Sequence, residues 1–450
     1  MINEEIYKSI NTKEAVKQNS IMGIIPRPID KDWMDMKRVA KQLDNYPEFK
    51  LIGIKKATED FNSDHLLGDF AYDALICYKE SEHLIRITAY TTKRIDFSTL
   101  AFGDHILAED IQEALHQPYY LETDCIFSEY PLFSYHFQLK VLAALVPHAS
   151  LMIDFSLQLA SSTSWLQWVA SSSIEPSIDY LFKINTTYKK ISEEKTEYWF
   201  KTAGLKRCGS VELEILNFTE YPQEMFQLIL ASAREFIVNP QGENAVFHVG
   251  KHINLCWIRW EEAFMLISPS ILGGLKDREQ AQDSFYLKEP SGILFAVQDG
   301  NLHSPQIYGT TLQGDNALYD MPSEEHRIQK TAGERLPFFL QVFDTWQKNF
   351  SDLDEQEWGF FLLLSIPVEE KQEENLWVQV IQISTEKITG EIMTSSSFSN
   401  NLGKGSRITL PINENIKDWI IYAPDGEYTP DTAYLLESTS DLSKDIESNS

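Results

Sequence analysis

Residues 119–170 read YYLETDCIFSEYPLFSYHFQLKVLAALVPHASLMIDFSLQLASSTSWLQWVA, and the order of elements in this stretch decides the fold class. YYLETDCIF and SLMIDFSL have the aromatic and branched residues of strands. The apolar run from Pro131 to Leu145 between them opens with a proline, which suits a first helical turn, and TSWLQWVA reads as a second helix. Strands alternating with helices bury their apolar faces as layers of sheet and helix, an α/β or α+β arrangement.

Upstream, SIMGII (20–25) is a short strand closed by Pro26 and Pro28, and DWMDMKRVAKQL reads as an amphipathic helix with Asp32 as its N-cap. FKLIGIKKA, FAYDALICYKE and HLIRITAYTT follow as strands, the last two joined by a turn at Glu80, Ser81 and Glu82. The helical HILAEDIQEALH, capped by Asp104, closes an N-terminal α/β unit over residues 1–117. Downstream, YLFKINTTY, YWFKTAG and VELEIL are strands, 223–236 is a helix, and AVFHV and INLCWIRW form a hairpin turning at Gly250 and Lys251. They complete a central α+β unit over 118–270. Residues 271–350 are expected to hold an irregular connection, a strand at ILFAV and a linker helix over 323–350 that breaks before Pro337. Five short strands, FFLLLSIPV, LWVQVIQIS, KITGEIMT, SRITLPI and DWIIYA, predict a β-rich, partly barrel-like C-terminal domain over 351–437, with a flexible tail at 438–450. The expected fold is therefore α+β and multi-domain, with mixed sheets and packed helices.

A length of 450 residues exceeds what one core organises, and 43% hydrophobic residues supply enough to bury. The net charge of −28 repels phosphate backbones and anionic membranes, and favours a basic protein as partner. Cys77, Cys125, Cys208 and Cys256 stand far apart with no CxxC pair, so reduced thiols are expected. The polar, acidic first twenty residues do not resemble a signal peptide, and the apolar run 360–364 falls far short of the ~20 residues of a membrane helix. The expectation is a cytoplasmic protein without cofactor, nucleic acid or membrane.

Glu212 and Glu214, two residues apart on a strand, share one face with carboxylates roughly 7 Å apart. With Arg207 as a nearby cation they form the candidate catalytic group, an acid–base pair or metal bridge; the competing readings are a face that meets water and an ion-pair cluster with Arg207. His248, His252 and Cys256 have helical metal-ligand spacing, but on a hairpin four residues span roughly 13 Å, so no metal site is expected. Gly403-Lys404-Gly405-Ser406 lacks phosphate-loop spacing and reads as a β-turn.

The segments Glu374-Asn375-Leu376-Trp377-Val378, Gly403 to Ile408 and Ile416-Lys417-Asp418-Trp419 resemble the bacterial domain of unknown function 2314, with Asn375 where that family tends to have histidine. Thr202 to Gly209, running into Glu212-Leu213-Glu214, resembles a segment that accompanies this domain, with Ala203 at another histidine position, and the upstream region is similar to domain of unknown function 4026. Trp377, Asp418 and Trp419 are the binding candidates of the C-terminal part. The resemblance implies architecture and a bacterial cytosolic setting and no chemistry. The functional expectation is a non-catalytic binding or immunity-type protein; the alternatives are a carboxylate-dependent hydrolase using Glu212 and Glu214, and an acidic housekeeping protein without a dedicated partner.

Overall fold

The computed structural model describes residues 19–27, 34–57, 66–103, 105–268, 270–280, 290–314, 316–349, 358–369, 372–384, 386–398, 402–412 and 416–439. Asp32, Asp104 and residues 440–450 of the expected tail lie outside them. The chain forms two units, one of Met1–Leu166 with Ile178–Asp320 and one of Gln167–Ser177 with Met321–Ser450.

The first unit holds two sheets. Strands β1 (Ser20–Pro26), β2 (Phe49–Lys56), β3 (Leu66–Tyr78), β4 (Ser81–Thr91), β5 (Ala101–Phe102), β6 (Tyr119–Cys125), β7 (Ala149–Asp154) and β8 (Leu159–Ser161) make the first, in the order β2-β3-β4-β6-β1-β7-β8-β5. All neighbours are antiparallel except β5 and β8. Because β4 pairs with β6 and β5 with β8, strands on either side of residue 117 share one sheet. The β3–β4 turn is Lys79-Glu80, both with positive φ, the two-residue geometry that matches strand twist; Ser81 already belongs to β4.

Helices α1 (Met36–Asp44), α2 (Ala108–His116) and α3 (Pro131–Leu145) accompany this sheet, and α4 (Thr163–Ser171) follows it. The cap of α1 is Asp35, whose carboxylate accepts from the Lys37 amide at 2.7 Å, rather than Asp32; α2 starts after Leu107 without a side-chain cap. α3 has the bounds expected from the sequence and buries twelve of its fifteen residues. Phe137 packs 5.8 Å from Tyr78 on the sheet, and Tyr135 lies 5.1 Å below the Arg207 guanidinium on the opposite flank. Burying so complete a helix requires partners for its polar groups. Gln138 donates to the Ser20 and Thr123 carbonyls, and Lys140 pairs with Glu48 at 2.5 Å.

The second sheet contains β9 (Lys183–Lys190), β10 (Thr196–Ala203), β11 (Glu212–Phe218), β12 (Phe247–Gly250), β13 (Ile253–Arg259), β14 (Ser291–Gln298) and β15 (Asn301–His303), ordered β12-β13-β14-β11-β10-β9 with β15 on β14. The strand read at ILFAV is thus central, parallel to β11 and antiparallel to β13. Helix α5 (Pro222–Val238) packs on β11, and the short α6 (Leu275–Gln280) follows β13.

The second unit is a helix laid on one sheet. α7 (Pro322–Asn349) runs 28 residues without the break expected before Pro337. Its buried face, Ala332, Leu336, Phe339 and Phe343, is continuous across the proline, so packing along the whole length outweighs one missing hydrogen bond. The Trp419 indole N–H donates to the Ala332 carbonyl at 3.1 Å, beside the carbonyl that Pro337 leaves without its helical donor. Strands β16 (Gly359–Glu369), β17 (Gln372–Ile383), β18 (Lys387–Ile392), β19 (Arg407–Pro411), β20 (Ile416–Ala423) and β21 (Gly426–Tyr428) run β19-β18-β17-β16-β20-β21. This sheet ends in two edges and does not close among the described residues, so the partly barrel-like expectation is corrected to an open sheet with one face covered by α7. The α+β, multi-domain class holds.

Candidate functional site

Glu212 and Glu214 do share one face of β11, but that face does not meet water: Glu212 is 2% and Glu214 0% exposed. β11 is an inner strand between β10 and β14, and side chains from both close over it. Glu214 accepts from the Trp199 indole at 2.8 Å, from the Arg278 guanidinium at 2.5 Å and from the Ser291 hydroxyl, with Lys201 Nζ at 3.5 Å. Burial alone would raise the Glu214 carboxyl; Arg278, Lys201 and Ser291 outweigh it and hold it at about 2. Burial of Lys201 lowers its own pKa despite Glu214, so Arg278 is the cation that carries this pair. Its guanidinium lies 4.9–5.6 Å from the rings of Trp260, Phe264 and Trp199.

Glu212 does different work. Its Oε1 accepts from the Gly204 and Lys206 amides at 2.9 and 3.3 Å and its Oε2 from the Thr202 hydroxyl at 2.8 Å, which ties down the 205–208 turn. Gly204 opens that turn at φ 115°, and a Cβ there would run into the Leu181 carbonyl. The turn aims Arg207 away from both glutamates: it pairs with Asp154 of β7 at 2.8 Å and donates to the Leu181 carbonyl at 3.0 Å. Arg207 therefore fastens the two sheets of the first unit to each other, and the expected cluster of Glu212, Glu214 and Arg207 separates into three sets of partners, one for each residue.

In the second unit, Trp377 and Asp418 both lie directly across from Leu363, on the sheet face opposite α7. Trp419 points the other way, fully buried with its ring 5.4 Å from Phe339, and is a core residue. Burial raises the Asp418 carboxyl to about 6; the Trp419 amide, at 2.8 Å, offsets part of this, and Asp431 adds to it. Arg327 is drawn off by Asp431, which it grips through two bonds of 2.9 and 2.6 Å. His248 and Cys256 sit on the two strands of the β12–β13 hairpin, and no three His, Cys, Asp or Glu among the described residues are grouped to hold a metal. The Ser406 amide closes on the Gly403 carbonyl at 3.0 Å, a β-turn as read.

Sequence reasoning missed a cleft at a step in the first sheet. β4 has eleven residues, but β6 pairs with it only from Arg86 to Thr91, so residues 81–85 have no strand on that side among the described residues. A cleft of about 650 Å³ opens at this step. Arg86 lies between its cross-strand neighbours Asp73 and Asp124, bonded to Asp73 at 2.9 Å. Glu82 and Glu129 stand exposed around the cleft, together with Leu84 (64% exposed), Ile126 (65%) and Tyr130 (73%). Phe133 and Phe137 of α3 form the apolar wall, where His83 stacks 4.5 Å from Phe137 and burial lowers its pKa. Burial, reinforced by Asp124, pushes the Cys125 thiol up to about 12, so it offers no thiolate. The sequence signal for this cleft was the mismatch between the long strand HLIRITAYTT with its leading Ser81-Glu82 and the shorter YYLETDCIF, followed by the polar, aromatic Ser128-Glu129-Tyr130 before Pro131.

Residues 20–176 match the N-terminal domain, and 184–295 the C-terminal domain, of the family described as protein of unknown function DUF4026. Residues 359–443 match DUF2314, described as an uncharacterized protein conserved in bacteria. The chain belongs to the DUF4026 family and carries a DUF2314 domain. No curated protein and no solved structure matches it significantly. The cleft, from Asp73 to Phe137, falls within the DUF4026 N-terminal domain, the Glu214–Arg278 cluster within the C-terminal one, and the Arg207–Asp154 pair joins the two. Trp377, Asp418 and Trp419 all belong to the DUF2314 domain.

Proposed function

We propose that this DUF4026 protein acts by binding a basic protein partner, not by catalysis, and that the cleft beside β4 is its recognition site. One observation carries the reading: Asp73, Glu82, Asp124 and Glu129 gather there around the single guanidinium of Arg86, next to three exposed apolar side chains. Carboxylates at an open rim attract lysine and arginine, and the apolar side chains supply area that excludes water once a partner covers them. The net charge of −28 steers such a partner from a distance. An antagonist of a basic polypeptide in a bacterial cytoplasm is the use we favour; four cysteines without a disulfide fit that compartment.

The test is fluorescence anisotropy with a labelled ten-residue peptide alternating lysine with valine, and its counterpart with glutamate for lysine. The lysine peptide should bind and weaken several-fold between low salt and about 0.15 M, where screening reaches within ~8 Å. Glu82→Gln with Glu129→Gln should weaken it further at low salt. Equal binding of the two peptides, or indifference to the double substitution, would rule the reading out.

A further inference from the structure

The cleft is a step in a sheet, and the backbone of β4 determines what can fill it. The Tyr78–Ser81 pair flanks the two-residue turn and is hydrogen-bonded, since no narrower pair can close it. Pairs alternate along the antiparallel ladder, so Ser81, His83 and Ile85 direct their N–H and C=O groups to β3, while Glu82, Leu84 and Arg86 direct theirs to the other side. Arg86 meets Asp124 of β6 there. Glu82 and Leu84 continue that row past the end of β6, where no strand among the described residues meets them. Two N–H donors and two carbonyl acceptors therefore face the cleft along an edge of five residues, about 17 Å, the length of an ordinary strand.

We infer that the partner enters as an extended segment that adds a strand to β4 along residues 81–85, prolonging the path of β6, and that it alternates basic with apolar side chains. This rests on the cationic-partner reading above. The alternation follows from the two faces of the sheet. One face carries Glu82, Leu84 and the Asp73–Arg86–Asp124 row and receives lysine or arginine; the other carries His83 under Phe137 and receives apolar residues. Main-chain bonds give such an added strand its register, and the alternate side chains give it selectivity.

Amide hydrogen exchange of the full chain, read residue by residue with the lysine–valine peptide present and absent, tests the inference. The Glu82 and Leu84 amides should slow on peptide addition while His83 and Ile85, already bonded to β3, change little. Leu84→Pro removes one of the two donors at a position where β3 does not use it, and a proline is tolerated on such an edge. It should weaken the peptide about threefold to tenfold, the worth of roughly one hydrogen bond, whereas Leu84→Ala, which keeps the N–H, should cost less. A peptide of the same composition with its lysines and valines in two blocks should bind more weakly than the alternating one. Equal binding of the two, with no slowing at Glu82 and Leu84, overturns strand addition and leaves the charge reading standing; loss of discrimination between lysine and glutamate peptides overturns both. Slow exchange at Glu82 and Leu84 in the free protein that becomes fast on deletion of residues 1–18 would make the chain's own leading segment the occupant and also overturn the inference.

Discussion

Two acidic clusters in the first unit invite comparison. Around Glu214, a carboxylate with no exposure is held by a guanidinium, an ammonium, an indole and a hydroxyl. In the cleft, Glu82 and Glu129 stand in solvent around a guanidinium already engaged by Asp73. On paper the first looks more like an active site, because its two glutamates share a strand face. In space its hydrogen-bonding capacity is spent inside the protein, whereas the two cleft glutamates keep their charge at the surface. The difference teaches that two glutamates alike in sequence can end either sealed against a cation, where they contribute to stability, or exposed at a rim, where they contribute little to it.

The largest expected effect tests the buried end of that comparison. Glu214→Gln leaves Arg278 and Lys201 buried without their counter-charge, and denaturant unfolding should show a loss of about 3–5 kcal/mol. The native carboxyl is held at about 2 against an ordinary 4.5, so its contribution is present above pH 4.5 and is lost as pH falls towards 2. A variant as stable as the native chain would mean that the cluster is not what holds β10, β11 and α6 together.

Asp418 is an intermediate case, half-buried, with Arg327 as a cation that it shares with Asp431, and its expected effect has the opposite sign. Its carboxyl, raised to about 6 from 3.8, binds protons more tightly folded than unfolded, so stability present below pH 3.8 is lost as pH rises through 6. Asp418→Asn should therefore stabilise the second unit by about 1–3 kcal/mol at pH 7 and by almost nothing at pH 4, read as thermal unfolding at the two pH values. A stabilisation independent of pH would assign the effect to packing.

The smallest expected effect sits at the exposed end. Glu82→Gln with Glu129→Gln should change unfolding free energy by less than about 0.5 kcal/mol, because exposed charges add little to stability. A large loss would show that the rim is structural and would break the comparison.

Much of the fold was legible because local rules wrote it. Helix α3 has its expected bounds, since a proline start and an apolar run need no distant information. The hairpins over β3–β4, β12–β13 and the C-terminal strands were visible as short apolar runs separated by turn residues. Local reading failed at Pro337, where one residue's preference gave way to a buried face that runs from Ala332 to Phe343, and at the cap of α1, where neighbouring aspartates are chemically equivalent until a chain direction selects one.

The chemistry of individual charges was not legible. Arg278 reaches Glu214 across 64 residues and Arg207 reaches Asp154 across 53, and no periodicity reports such pairings. Composition alone determined that the protein is strongly acidic, and the patterning of strands and helices determined that it is α+β, because both depend on residues counted or read in short windows. Which glutamates are sealed and which stay open was decided only by tertiary structure. It depends on strand order and on where β6 ends against the longer β4, quantities that exist only once distant segments have paired.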